Sequence, residues 1–92
     1  PDCFIAANDS IAISLLAALR SIKARIPADT RVIGFDNIAE SKNVNPPLTS
    51  INVNKTALGK RLISLLLDRI ANPLQANQVI HIASNIVVRS ST

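Results

Sequence analysis

The stretch that decides the fold begins with Cys3-Phe4-Ile5-Ala6-Ala7-Asn8-Asp9 and closes with Arg31-Val32-Ile33-Gly34-Phe35-Asp36-Asn37. Each apolar run has the length of a buried strand and ends in a polar pair, and the segment between them has the periodicity of one amphipathic helix. Strands joined by a helix run parallel, so their carboxyl ends meet at one edge of the sheet. Ligands of open α/β sheets bind beyond that edge. The pattern therefore predicts a binding site near Asn8, Asp9 and Asp36.

The rest of the chain continues the alternation of strands and helices. We expect Asp9 or Ser10 to cap the first helix and residues 37–47 to form a loop. Alternating polar and apolar side chains predict a strand with one solvent face at 49–53. A second helix should follow, with Gly59 marking close packing against a neighbour. We expect Asn54 to cap this helix and Asn72-Pro73 to end it, and we expect extended pieces at 79–82 and 86–88.

Length and composition limit the chain to one small domain. It has 92 residues, 48% of them hydrophobic, a net charge of +4 and a single cysteine, Cys3. Two helices and four or five strands make an α/β half-domain with a mostly parallel sheet, incomplete as given. Some apolar surface should remain for another part of the chain or a second copy. The basic residues are spread at helical spacing, which indicates solvated faces rather than a nucleic-acid surface.

Several classes of site find no support in the residues. One histidine, one cysteine and no clustered carboxylates argue against a metal site, and His81 is expected to be a packed or edge residue. No catalytic triad, paired acids or Gly-rich phosphate loop is present. A phosphoacceptor role for Asp36 lacks the neighbouring acids and lysine that would hold a divalent cation. We therefore expect no catalytic residue, no cofactor and no membrane-spanning segment.

Six motifs, in order along nearly the whole chain, resemble those of the LacI/GalR family of bacterial transcription regulators. The resemblance is carried by Ala7-Asn8-Asp9-Ser10-Ile11-Ala12 with Leu16-Ala17-Ala18-Leu19, by the segment from Ile26-Pro27-Ala28-Asp29 to Gly34-Phe35-Asp36-Asn37, by Pro46-Pro47-Leu48-Thr49-Ser50-Ile51, by Leu58-Gly59, by Leu66-Leu67, and by Val87-Val88-Arg89-Ser90-Ser91-Thr92.

The resemblance implies a fold like that of periplasmic sugar-binding proteins, in which two Rossmann-like subdomains hold a small effector between them. Residues 1–92 look like the C-terminal portion of that effector-binding domain. The family's DNA-binding domain and first subdomain are missing, so operator DNA would be reached only through the missing N-terminal domain. The implied protein is a cytoplasmic, homodimeric repressor. The alternative is a periplasmic solute-binding protein of a transport system.

The same resemblance assigns roles to individual positions. It places Asn8, Asp9 and Asp36 at the ligand, and each has a structural alternative: a turn residue, a helix cap and a loop cap, respectively. Val53 departs from the polar residue that the family commonly carries, so the effector is expected to be a sugar or nucleoside-like molecule of unassigned identity. The subunit interface is expected to include three further residues, whose alternatives are ordinary core and an exposed loop: Ile13, Leu16 and Val44.

Overall fold

The computed structural model describes all residues from Pro1 to Thr92 and divides into two compact units. The first unit comprises residues 1–53 and 85–92, and the second comprises residues 54–84. The elements are the strands β1 (Cys3–Ile5), β2 (Arg31–Phe35), β3 (Thr49–Val53) and β4 (Ser84–Val87), the helices α1 (Asp9–Ser21) and α2 (Lys55–Ala71), and a short 3₁₀ helix at Ala39–Lys42. The predicted α/β class with a mostly parallel sheet is confirmed.

The four strands form one sheet in the order β1-β2-β3-β4. Strand β2 pairs in parallel with both neighbours, Ile33 lying opposite Ile5 on one side and Thr49 on the other. The ladder between β1 and β2 extends past the end of β1, because the Ala6 amide donates to the Ile33 carbonyl over 2.9 Å. The carboxyl ends of these strands consequently share one edge, as the two apolar runs with a helix between them predicted.

Helix α1 begins one residue earlier than expected. Asn8, in an extended conformation, is the N-cap, and its side-chain oxygen accepts from the Ile11 amide at 2.9 Å. The prediction that Asp9 or Ser10 caps the helix is therefore wrong. The first helical position, Asp9, is instead free to turn its carboxyl group toward the interior, where it is fully buried.

The core of the first unit lies between α1 and the sheet. Ala12 and Leu16 of α1 are buried against Val32 of β2 and Leu48, which precedes β3. Partly buried apolar side chains surround this cluster. Burying an aliphatic side chain of this size stabilises a fold by roughly 1.5–3 kcal/mol. This small core fixes α1 against β2, and so fixes Asn8 relative to the end of β2.

The segment after β4 is tied into the opposite end of the sheet. The Ser91 hydroxyl is fully buried, donates to the Val32 carbonyl at 2.6 Å and accepts from the Thr49 amide at 2.8 Å. The Ser91 backbone carbonyl accepts from the Val32 amide at 3.0 Å. One serine thus links β2 to the start of β3, and its polar atoms are satisfied although they are buried.

A surface ion pair closes the turn between α1 and β2. The Arg25 guanidinium contacts the Asp29 carboxyl group at 2.5 Å. The side-chain hydrogen bond from Arg25 lowers the pKa of Asp29, and the same bond raises the pKa of Arg25. Because both groups are exposed, the pair contributes little to stability.

The second unit is built on α2, which buries none of its residues. Asn54 caps it as predicted, accepting from the Ala57 amide at 3.0 Å. Its apolar side chains, including Leu62 (58% exposed) and Ile70 (66%), leave the uncovered apolar surface expected of a half-domain. A Cβ on Gly59 would meet nothing within 4 Å, so the prediction of close packing at this glycine is wrong within this chain.

The segment after α2 differs from the expected strand arrangement. Residues 79–82 form no strand, and the strand that was expected at 86–88 is β4, at Ser84–Val87. Near the end of α2 the Arg69 guanidinium donates to the Gln75 carbonyl at 2.8 Å and to the Asn77 side chain at 2.6 Å. These side-chain bonds order the turn without a sheet ladder. No helix in the structure is long and apolar enough to cross a membrane.

Candidate functional site

Two of the predicted site residues lie at the shared edge of the parallel strands. Asn8 follows β1, Asp36 directly follows β2, and both are half-buried. The oxygen of the Asn8 amide is used by the helix cap, which leaves its NH₂ group as a hydrogen-bond donor. Asp36 adds carboxylate oxygens, which are acceptors. The edge therefore presents a donor and an acceptor of the kind that bind hydroxyl groups.

The turn that carries Asp36 has an uncommon backbone. The φ angle of Asp36 is 106° and that of Asn37 is 50°, both in the region that favours glycine. Three successive amides in this turn are hydrogen-bonded: Asp36 to the Ile51 carbonyl (2.9 Å), Asn37 to the Ser50 hydroxyl (3.0 Å) and Ile38 to Asp9 (2.9 Å). A conformation of this kind costs about 1–3 kcal/mol per residue and persists only when its surroundings fix it. These bonds supply that constraint.

Asp9 is placed differently from the other two predicted residues. It has 0% exposure, and its two oxygens accept three hydrogen bonds from neutral donors inside the first unit. Oδ1 accepts from Ser50 Oγ at 2.6 Å, and Oδ2 accepts from Ile38 N at 2.9 Å and Ser41 Oγ at 2.5 Å. The side chain thus anchors the turn after β2 from the interior of the first unit, and it has no exposed surface at the sheet edge.

A chain of side-chain hydrogen bonds joins the carboxyl ends of β2 and β3 to the start of β4. The Arg89 guanidinium donates to Asn37 Oδ1 at 2.7 Å, and Asn37 Nδ2 donates to Asn52 Oδ1 at 3.1 Å. Asn52 Nδ2 then donates to Asn85 Oδ1 at 3.2 Å. Arg89 also donates to the Leu48 carbonyl at 2.7 Å. These residues fix the Asn37 side chain and give the edge a row of amides.

The chemistry available at this edge is hydrogen bonding. No group of three or more His, Cys, Asp or Glu side chains could hold a metal ion. A half-buried carboxylate, a half-buried amide and a fixed backbone suit a neutral molecule with several hydroxyl groups. Two surface cavities lie within the second unit, around α2 and the turn after it.

Sequence reasoning missed three buried polar side chains of the first unit. Thr49 and Ser50 were expected on a strand with one solvent face, but they are 2% and 0% exposed. Ser41, in a predicted polar loop, is also fully buried. A polar side chain in a loop or an alternating strand looks solvent-facing unless its buried partner is known. Asp9, the partner of Ser41 and Ser50, is at least 32 residues away from either along the chain, and the partners of Thr49 are at least 40 residues away from it.

The residues expected at a subunit interface fall into two groups. Leu16 is 2% exposed and belongs to the core, which is the alternative that the sequence had left open. Ile13 and Val44 are partly buried and pack against that core from its margin. Ile11 (52% exposed) and Ile22 (73%) are also exposed, but at 3.6 residues per turn Ile11 lies about 200° around α1 from Ile13, on the other side of the helix. Without Leu16, the apolar surface expected at an interface is reduced to Ile13 and Val44.

The comparison with protein families matches the whole chain. A model of the periplasmic binding protein-like domain covers residues 1–92. Among curated proteins, the chain is 35% identical over 91 residues to the HTH-type transcriptional repressor PurR of Pasteurella multocida (strain Pm70). That alignment includes 99% of this chain and 27% of the repressor, so the chain spans about a quarter of the relative's length.

Solved structures of the same kind share the fold. The transcriptional regulator CelR in complex with cellobiose superposes with a TM-score of 0.91 at 30% identity, over 99% of this chain and 28% of that one. The lac repressor dimer bound to operator and the anti-inducer ONPF superposes with a TM-score of 0.84 at 29% identity, over 100% of this chain and 32% of that one.

Proposed function

The chain belongs to the periplasmic binding protein-like domain family, among relatives that are LacI-type transcription regulators, and from that premise we propose that it forms one side of an effector-binding cleft in such a regulator. Residues 1–92 would be the C-terminal portion of the effector-binding domain. The observation that supports this most strongly is the position of Asn8 and Asp36 beyond one edge of a parallel sheet, where α/β folds bind ligands.

The chemistry of the edge points to the class of effector. Asp36 would accept hydrogen bonds from hydroxyl groups, and the Asn8 NH₂ group would donate to a hydroxyl or ring oxygen. One of the related regulators has been solved with cellobiose, a polyhydroxyl ligand. We propose a sugar or nucleoside-like effector, bound between this subdomain and a second one. Binding would change the relative orientation of the two and thereby the affinity of a separate DNA-binding domain for its operator.

The regulator is favoured over a transport protein because the named relatives are transcription regulators. An operator-binding protein acts in the cytoplasm, and we propose that location for this one. We also propose that the protein is not an enzyme, since the named relatives are transcription regulators and the serine hydroxyls that contact the Asp9 carboxylate are fully buried.

We propose that the regulator is a homodimer that uses the outer surface of α1. The partly buried Ile13 and Val44, which pack at the margin of the core, provide apolar area there. The lac repressor, which shares the fold, was solved as a dimer. Sedimentation velocity of the full-length protein should give the mass of a dimer at micromolar concentration. A monomer under those conditions would contradict the assignment.

Thermal unfolding of the full-length protein tests the proposed function. Cellobiose, D-ribose and adenosine are suitable probes because each carries vicinal hydroxyl groups on a ring. A probe at about 100 times its dissociation constant stabilises the folded state by about 2.7 kcal/mol. That should raise the Tm by roughly 5 °C or more. Mannitol, which lacks a ring, is the control. If none of the three probes raises the Tm more than mannitol does, the proposed effector class is wrong.

A further inference from the structure

We propose that Asp9 is a positioning residue for the binding edge: through Ser50 it fixes the conformation of Asp36 and Asn37, and so the direction from which Asp36 meets a ligand. That a ligand meets Asp36 at this edge rests on the proposed function. The conformational link itself rests on contacts within the first unit alone.

The first route from Asp9 to the turn passes through one hydroxyl group. Ser50 Oγ donates its single proton to Asp9 Oδ1 over 2.6 Å, and the same oxygen accepts from the Asn37 amide over 3.0 Å. Giving the proton to Asp9 leaves the lone pairs of the oxygen directed at Asn37. Without the carboxyl group, the hydroxyl could rotate and donate elsewhere. The orientation of Ser50 therefore depends on Asp9.

The second route is direct. Asp9 Oδ2 accepts from the Ile38 amide over 2.9 Å, so Asp9 acts on two successive amides of the turn. Asn37, between Asp36 and Ile38, has a φ angle of 50°. Restraining the amides on both sides of its α-carbon limits the rotation that would release this conformation. Because Asp36 precedes Asn37 directly, the same restraint sets the course of the backbone at Asp36.

Ser41 offers a matched comparison with Ser50. Both serines are fully buried, and both donate a hydroxyl proton to Asp9. Only Ser50 also accepts from the amide of Asn37. Replacing either by alanine removes one buried hydrogen bond to Asp9, but only Ser50→Ala removes a bond to the turn. A purely structural role for Asp9 would give the two variants the same effects.

Hydrogen-exchange mass spectrometry of the full-length protein tests the link. In Ser50→Ala, amide exchange in peptides covering residues 35–40 should rise about tenfold, the effect expected for losing one hydrogen bond. In Ser41→Ala it should stay within about twofold of the wild-type rate, while the Tm falls in both variants and falls further in Ser50→Ala, which loses two hydrogen bonds. The milder Asp9→Asn, which keeps the side-chain size, should accelerate exchange in the same peptides.

Calorimetry supplies the functional readout with the probe that most stabilises the wild type. Its dissociation constant should rise at least about fivefold in Ser50→Ala and stay unchanged in Ser41→Ala. Unaltered exchange at residues 35–40 in both Ser50→Ala and Asp9→Asn, or equal effects of the two serine variants, would overturn the proposal. If no probe binds the wild type, the proposed effector class fails, and the exchange rates still decide whether Asp9 positions the turn.

Discussion

Replacing Gly34 by alanine should prevent the first unit from folding stably. A Cβ atom on Gly34 would lie 2.1 Å from Asp9 Oδ1 and 2.9 Å from Leu48 Cδ2, far inside van der Waals contact. The carboxyl group cannot move aside without giving up hydrogen bonds to Ser41, Ser50 or Ile38. Overpacking combined with a broken buried polar network belongs to the mechanisms that cost about 4 kcal/mol or more. Urea unfolding of the full-length protein would measure the loss.

The other glycine of the chain provides the control. Gly59 lies inside α2, and a Cβ there would meet nothing within 4 Å. Gly59→Ala should therefore stabilise the protein by about 0.5–1 kcal/mol, because alanine loses less backbone entropy in a helix. Substitution by alanine should thus lower the free energy of unfolding at Gly34 and raise it at Gly59.

A double-mutant cycle identifies the cause of the damage at Gly34. Asp9→Ala removes the oxygen that the new Cβ would strike, so the two substitutions together should cost less than the sum of their separate effects. Additive costs, or a Gly34→Ala protein with the wild-type unfolding midpoint, would show that Gly34 and Asp9 are not packed together as described.

The elements of the fold could be predicted because their signals are local. The apolar runs of β1 and β2 and the helical periodicity of α1 are each complete within a short window of sequence. The parallel pairing of β1 and β2 then follows from their connection by one helix. Those inferences suffice to bring Asn8 and Asp36 to one edge, so this part of the candidate site was predictable.

The buried hydrogen bonds that hold that edge in place could not be predicted, because they join polar residues far apart in sequence. Ser50 is buried only because Asp9, 41 positions away, accepts its proton. The same limit explains the N-cap of α1: Asn8 and Asp9 are both good capping residues, and the choice between them is made by the buried partners of Asp9. The prediction of a strand at 79–82 was wrong because apolar, β-branched composition alone does not provide a pairing partner.

Replacing Asp36 by glycine should remove effector binding while leaving the fold intact. The carboxylate is expected to accept two hydrogen bonds from ligand hydroxyls, each worth about 1.5–3 kcal/mol when one partner is charged. Losing both should weaken binding at least about 100-fold, at a factor of ten for every 1.4 kcal/mol. The φ angle of Asp36, 106°, suits glycine better than any other residue, so relief of backbone strain should offset the removal of the carboxyl group from the folded protein.

A loss of affinity without a loss of stability makes the experiment decisive for the site. Calorimetric titration with the stabilising probe gives the affinity, and urea unfolding of the unliganded protein gives the stability. Glu40→Gln is the matched control, because it neutralises an exposed carboxylate in the 3₁₀ helix that follows the same turn. It should leave the affinity unchanged. Asp36→Gly with undiminished affinity would remove Asp36 from the binding site, and an equal loss in Glu40→Gln would point to overall charge rather than to a contact made by Asp36.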